Sequence, residues 1–155
     1  MQNLKLKELS KEDVNDLVKL EKELFKNPYS EELLLRELKT PFSCGIVAKR
    51  GEETVGYCLF WIVSGQCEIH RIGVKREFQG KGIGSLLIKA VIDLCKRGGI
   101  SEVLLEVSEE NERALNLYRK FGFFEEGVRK NYYGSENAIL MKLKLGGEDA
   151  ERRKP

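Results

Sequence analysis

The residues with the clearest chemical potential form one short run, Gln79-Gly80-Lys81-Gly82-Ile83-Gly84-Ser85. It lies between an apolar, β-type segment ending near Val74 and an amphipathic segment of helical period. Closely spaced glycines let backbone N–H groups converge without interference from Cβ atoms, and a helix starting behind them adds the positive end of its dipole. Such an arrangement binds phosphate oxygens. A surface turn without function has the same composition, so the glycines alone leave both readings open. A P-loop requires Ser or Thr after Gly-Lys and a glycine six places before the lysine. Gly82 and Lys75 stand at those positions, which excludes it. A dinucleotide fingerprint requires a third glycine where Ser85 stands, although Glu106 lies about twenty residues on, like the acid that binds ribose in that motif. Its glycines should also follow the strand directly, whereas five residues separate Val74 from Gly80. That motif is a weak competitor.

Four further side chains offer proton chemistry. Glu106 ends a buried-type strand, where partial desolvation favours a base working near neutral pH; its bland role is a strand-end carboxylate paired with an arginine. Tyr118 lies on an apolar helical face with Leu117 and Phe121 and reads, on pattern alone, as core. His70 is the single histidine, and histidine is the side chain that ordinarily changes charge near neutral pH. It shares a strand face with Glu68 and Ile72, so either Glu68 or His70 is an alternative base.

The elements that position these groups follow from periodicity. Leu4 and Leu6 alternate with Lys5 and Lys7, as in a half-buried strand. Ser10 predicts a helix start, with Val14, Leu17, Val18, Leu24 and Phe25 at helical spacing up to Asn27-Pro28. Ser30 caps a second, short helix through Leu33, Leu34 and Leu38, stopped at Thr40-Pro41. Three strands follow, over 44–48, 54–63 and 67–74, joined by turns at 50–53 and Ser64-Gly65, which makes an antiparallel meander. A helix over 82–97 ends at Gly98-Gly99. The run 103–107 reads as a strand covered on both faces. A helix with Ala114, Leu117, Tyr118 and Phe121 stops at Gly122, and strands over 123–131 and 137–145 close the pattern. A helical crossover between Val74 and Glu102 demands one parallel pair in a mostly antiparallel sheet. The expected class is mixed α/β, in a single domain over 1–145, with a charged and mobile tail over 146–155.

Composition removes other classes. The chain has 155 residues and 17.7 kDa, is 41% hydrophobic and 34% charged, and balances 27 Lys and Arg against 25 Asp and Glu for a net charge of +2. That balance gives no general attraction for nucleic acid or an anionic membrane. No apolar run approaches the ~20 residues of a membrane span, and the start has no signal or transit character. Cys44, Cys58, Cys67 and Cys95 never approach CxxC spacing and have one histidine beside them, so no metal site is expected. They read as reduced, mostly buried thiols of a cytoplasmic protein.

Gln79, Gly82 and Gly84, preceded by Ile72-Gly73-Val74, resemble the acyl-CoA signature of the GNAT superfamily of N-acetyltransferases. Leu105-Glu106-Val107, Asn111 and the run Ala114 to Phe123 follow in that family's order. Within it, Asn27-Pro28-Tyr29-Ser30 and Arg129-Lys130-Asn131-Tyr132-Tyr133 are similar to the RimI-like enzymes, which acetylate the N-terminal alanine of a small-subunit ribosomal protein. Tyr29 stands where that subfamily usually has Trp, and Arg71 replaces a smaller polar residue.

The resemblance implies a GNAT fold, with a splayed parallel strand pair and about four helices around the sheet. It implies acetyl-CoA as cosubstrate, held by the backbone of Ile72, Gly73 and Val74, by Gln79 and the turn Gly80, Lys81, Gly82, Ile83, Gly84 and Ser85, and by Asn111, which also suits an N-cap. It further implies Glu106 as general base through water, Tyr118 as acid for the departing sulfur, and Tyr29, Tyr132 and Tyr133 along the acceptor groove. The expected acceptor is a protein N-terminus, the expected state a monomer or weak dimer. A terminal amine of pKa ~7.7–8.0 is about 10–20% neutral at pH 7, against less than ~0.1% for a lysine near 10.4, so one carboxylate suffices as base. The alternatives are a lysine or small-molecule acceptor, a CoA-binding regulator without turnover and, weakest, a dinucleotide-binding module.

Overall fold

Every expected element forms, within about two residues of its expected limits except at the start of the first helix, which begins as a 3-10 turn after Ser10 and becomes α-helical only at Val14. In chain order they are β1 (Leu4–Glu8), a 3-10 turn (Lys11–Asp13), α1 (Val14–Leu24), α2 (Glu31–Lys39), β2 (Ser43–Arg50), β3 (Glu53–Val63), β4 (Gln66–Val74), a second 3-10 turn (Arg76–Phe78), α3 (Ile83–Arg97), β5 (Glu102–Ser108), α4 (Glu112–Lys120), β6 (Phe124–Tyr133) and β7 (Glu136–Lys144). The computed structural model describes residues 3–133 and 136–145, apart from the side chains of Tyr132 and Tyr133. The expected tail lies outside the described residues.

The strands form one seven-stranded sheet in the order β1-β2-β3-β4-β5-β7-β6. β1 with β2, β2 with β3, β5 with β7 and β6 with β7 are antiparallel. β4 and β5 run parallel, from Gln66↔Glu102 to Ile69↔Leu105, with α3 as the crossover that parallel neighbours need. Ser64 and Gly65 both take positive φ (51° and 78°), as a two-residue turn matched to the strand twist requires. The class is mixed α/β, with four α-helices among the described residues.

Contacts divide the chain into two compact units, and β4 and α3 give residues to both. The first contains the chain up to Ile62 together with Arg71–Ala90. Its core joins Val14, Leu17 and Leu20 of α1 to Leu34 of α2, Val47 of β2, and Tyr57 and Leu59 of β3. Ser30 caps α2 as expected, its hydroxyl accepting from Leu33 N–H at 3.1 Å. Ser10 starts the 3-10 turn and not α1 itself, and its N–H is held by the Asp13 carboxylate at 2.9 Å.

The second unit contains Val63–His70 and the chain from Val91 onward. In β5, Val103, Leu105 and Val107 are buried and alternate with half-buried Leu104 and Glu106. Both faces are covered, one more deeply than the other, which the unbroken apolar run of the sequence does not display. Leu115 and Tyr118 of α4, Phe123, and Ala138 and Met141 of β7 are buried in this unit. All four cysteines are free thiols, three of them buried and Cys44 half-buried.

Asp13 shows how the first unit uses charge. The residue is 1% exposed, and its carboxylate receives Lys7 Nζ at 2.7 Å and Lys49 Nζ at 3.0 Å. Burial alone would raise its pKa, but the bonds from Lys7, Ser10 and Lys49 outweigh it and lower the value to about 2. A depressed folded-state pKa contributes stability that is present above the unfolded value and lost as pH falls through the folded one. Here the contribution is about 2 kcal/mol, present above pH ~4 and lost toward pH ~2. In urea unfolding followed against pH, Asp13→Asn should lower stability at neutral pH and flatten the acid limb. An acid limb as steep as that of the wild type would refute the assignment.

Candidate functional site

In the first unit the candidate phosphate turn is built from the end of β4 to the start of α3. Phe78 is buried and anchors the second 3-10 turn. Gln79 folds back on the strand, its Nε2 donating to the Val74 carbonyl at 2.9 Å. This side chain braces the loop. Gly80 and Gly82 take φ of 80° and 86°, which L side chains adopt at a cost. Nothing lies within 4 Å of the place where a Cβ on Gly82 would sit, so that side of the turn is open. The first bond across α3's opening turn runs from Leu86 N–H to Gly82 C=O at 3.1 Å. The amides of Ile83, Gly84 and Ser85 precede it and lack intrahelical acceptors. Ile83 meanwhile buries its side chain near Gly56, so the helix start is fixed from the core side while its amides face the turn. Open glycines beside unspent amides suit an anionic phosphate chain. Lys81 is exposed, its Nζ 5.5 Å from the Phe78 ring centroid.

Gly73 has a different reason to be glycine. A Cβ there would lie 2.9 Å from Tyr57 Cε1 and 2.9 Å from Leu24 Cδ1. The Tyr57 ring thus packs directly against the segment Ile72-Gly73-Val74. Its hydroxyl donates to Glu21 Oε2, and Glu21 is wholly buried. Arg71 completes the group: Nε donates to Glu21 Oε2 at 3.1 Å, Nη2 to Glu21 Oε1 at 2.7 Å and to the Asn27 carbonyl at 3.0 Å. The guanidinium lies 3.9 Å from both the Phe25 and the Tyr29 ring centroids, and Tyr29 N–H donates to Glu21 Oε1 at 2.7 Å. Burial and the bond to Glu21 push the Tyr57 hydroxyl pKa far up, so Tyr57 remains a neutral donor. The two departures from the subfamily pattern, Tyr29 and Arg71, are therefore stacked on each other. The sequence reading missed Glu21 and Tyr57. The signal was present, since Glu21 falls in phase with Val14, Leu17 and Leu24 on the apolar stripe of α1.

The second unit holds the candidate acid and base. The parallel ladder ends at Ile69↔Leu105, so His70 and Glu106 are the first residues beyond it on their strands. Glu106 keeps 29% of its side chain exposed, and its Oε1 meets Arg129 Nη2 of β6 at 2.8 Å. The carboxylate–arginine pairing weighed from the sequence does form, and it leaves Oε2 without a hydrogen bond among the described residues. His70 Nε2 lies 3.6 Å from Glu68 Oε1, both side chains being partly exposed. Tyr118, 5% exposed, packs its ring 5.6 Å from that of Phe123. Asn111 caps α4, its Oδ1 accepting from Ala114 N–H at 3.1 Å. The side chains of Tyr132 and Tyr133 lie outside the described residues.

Residues 13–123 match the sequence model of the Acetyltransferase (GNAT) family. The chain belongs to that family. It is 37% identical over 147 residues to the N-alpha-acetyltransferase RimI of Mycobacterium tuberculosis, covering 91% of each chain. It is 33% identical over 133 residues, 84% of this chain and 88% of the other, to a Bacillus subtilis protein provisionally named a ribosomal protein bS18-alanine N-acetyltransferase. Among solved structures, the ribosomal-protein-S18-alanine N-acetyltransferase of Escherichia coli superposes with a TM-score of 0.86 at 24% identity, covering 92% of this chain and 94% of that one. This last likeness shows the GNAT fold.

The packing of Gly73 is testable by itself. Gly73→Ala forces a methyl into the Tyr57 ring and Leu24, an overpacking that should cost about 1–3 kcal/mol in urea unfolding. A variant as stable as wild type would mean that the ring yields and that Gly73 is not fixed by this contact.

Proposed function

We propose that this GNAT enzyme transfers the acetyl group of acetyl-CoA to the α-amino group of a protein, and that the acceptor is the N-terminal alanine of a small-subunit ribosomal protein in the cytoplasm. The observation that carries the acceptor is the near full-length likeness to two proteins named for acetylation of an α-amino group or of a ribosomal alanine. The features favouring acetyl-CoA are the open Gly82 and the free amides at the start of α3.

Acetyl-CoA supplies an activated acyl thioester. In this reading the amides of residues 80–85, with the Ser85 hydroxyl, hold its diphosphate, and Lys81 adds positive charge. The backbone of Ile72, Gly73 and Val74 lies along the pantetheine, and the Val74 N–H stabilises negative charge developing on the thioester oxygen. Gln79 acts by bracing the loop. Asn111 has spent Oδ1 on its cap, so its Nδ2 is the group left for the pantetheine. Glu106 accepts the amine's proton through water at Oε2, the oxygen not engaged by Arg129. Tyr118, a residue largely shielded from bulk water, protonates the departing sulfur. Tyr29, Tyr132 and Tyr133 contact the first acceptor residues.

Purified protein should be given acetyl-CoA and short peptides varied at the first residue, following thiol release and product mass. An alanine-first peptide should gain one acetyl at its terminus. A lysine-containing peptide blocked at its N-terminus should gain none; equal modification of that control would move the acceptor to lysine. CoA binding without release would support a regulator, and NAD binding without acetyl-CoA binding a dinucleotide module. Tyr118→Phe should keep its fold and lose turnover by ~10²-fold or more, in the range of general acid catalysis; unchanged turnover would exclude that role. Glu106→Gln should lose a comparable factor, whereas His70→Ala should leave the pH–rate profile in place. The opposite pattern would make a β4 residue the base.

A further inference from the structure

The Arg71 side chain is more completely fixed than a surface arginine and less completely used than a structural one. Of its five N–H donors, Nε–H and the two on Nη2 are spent on Glu21 and the Asn27 carbonyl. The pair on Nη1 has no partner among the described residues. The side chain is 17% exposed, so this end of the group is not sealed in the core. The rings of Phe25 and Tyr29, each 3.9 Å away, hold the guanidinium plane from its two neighbours in the α1–α2 connection. The result is a donor pair whose orientation is set in advance, so a ligand that met it would not bear the entropy of ordering a long side chain.

Charge decides what that ligand is. Glu21 is wholly buried against Arg71, and the two formal charges cancel. What remains is a hydrogen-bond donor more than a cation, suited to a neutral carbonyl oxygen and poorly suited to a phosphate. Arg71 also immediately precedes Ile72-Gly73-Val74, the strand end assigned above to the acyl carrier. We propose that Arg71 is a specificity-determining residue, whose Nη1 donates to a backbone carbonyl oxygen of the acceptor chain close to its amino terminus. This rests on the reading of the acceptor as a peptide N-terminus.

Lysine is the informative replacement. It keeps the charge that Glu21 needs, whereas an uncharged residue would leave that carboxylate buried and unpaired. A single ammonium cannot hold Glu21 bidentately, stack between two rings and reach an acceptor at once. Steady-state constants should be measured for wild type and Arg71→Lys with an alanine-first peptide, and with versions in which the first or second peptide bond is an alkene isostere lacking the carbonyl oxygen. Arg71→Lys should raise acceptor KM about tenfold or more, with kcat and the acetyl-CoA KM within about twofold of wild type. For wild type, one isostere should cost a similar factor, and Arg71→Lys should lose nothing further with it. An unchanged acceptor KM, losses that simply multiply, or a joint fall of all constants with thermal stability would each overturn the proposal. If Arg71→Lys does not fold, Phe25→Leu frees one face of the guanidinium and should show a weaker form of the same signature; its absence would count equally against the idea. Failure of wild type to acetylate any peptide N-terminus would overturn the acceptor reading and this inference with it, whereas an active wild type with indifferent variants would overturn the inference alone.

Discussion

A carboxylate with no exposed surface is tolerated only where several donors meet it at once, and the first unit is organised around such a group. An unpaired buried charge costs several kcal/mol even after the protein relaxes, and the attraction of its partner offsets this only with good geometry and saturated hydrogen bonding. Glu21 receives the Tyr57 hydroxyl, two bonds from Arg71 and the Tyr29 amide. Each donor comes from a different element, β3, β4 and the segment after α1. One side chain of α1 therefore specifies how three pieces of chain lie together. Because the Tyr57 ring packs on Gly73, the same carboxylate bears on the strand end that carries the proposed acyl-binding backbone.

β4 divides its labour along its length. Its first residues form the parallel ladder with β5, which ends at Ile69↔Leu105. Its last residues are supported by Tyr57 and Leu24 on one side and closed by Gln79 at the Val74 carbonyl. A strand end beyond its parallel ladder has backbone groups to offer a ligand. The glycines divide in a similar way. Gly73 serves packing, whereas Gly82 serves a backbone conformation with empty space beside it.

The second unit treats its charges differently. Glu106 is partly exposed and has one strong partner, Arg129, itself half-exposed. Solvent screens such a pair, and its net strength is small beside that of a buried one. A carboxylate held this loosely can exchange partners, which suits a proton acceptor better than the saturated environment of Glu21. The proposed reaction would make a modest demand on such a base, since a chain terminus is already partly neutral at pH 7.

Most of this architecture is written in local pattern. The apolar stripes of α1 and α3, the Ser64-Gly65 turn, the caps at Ser30 and Asn111 and the glycine turn were all legible because each depends on residues only a few positions apart. The resemblance carried by Gln79, Gly82, Glu106 and Tyr118 then pointed to the family. What stayed hidden was pairing over long distances: Glu21 reaches Tyr57 and Arg71 36 and 50 positions away, and Glu106 finds Arg129 on another strand. Gln79, assigned to the cofactor from its motif, also braces its own strand, a bond that the motif does not display. A single sequence shows that Glu21 lies on an apolar face, which reads as a fault in the pattern. Only the folded chain shows the donors that make it favourable, because hydrogen bonds are chosen by distances of a few ångströms in space and those distances exist only once the sheet has assembled.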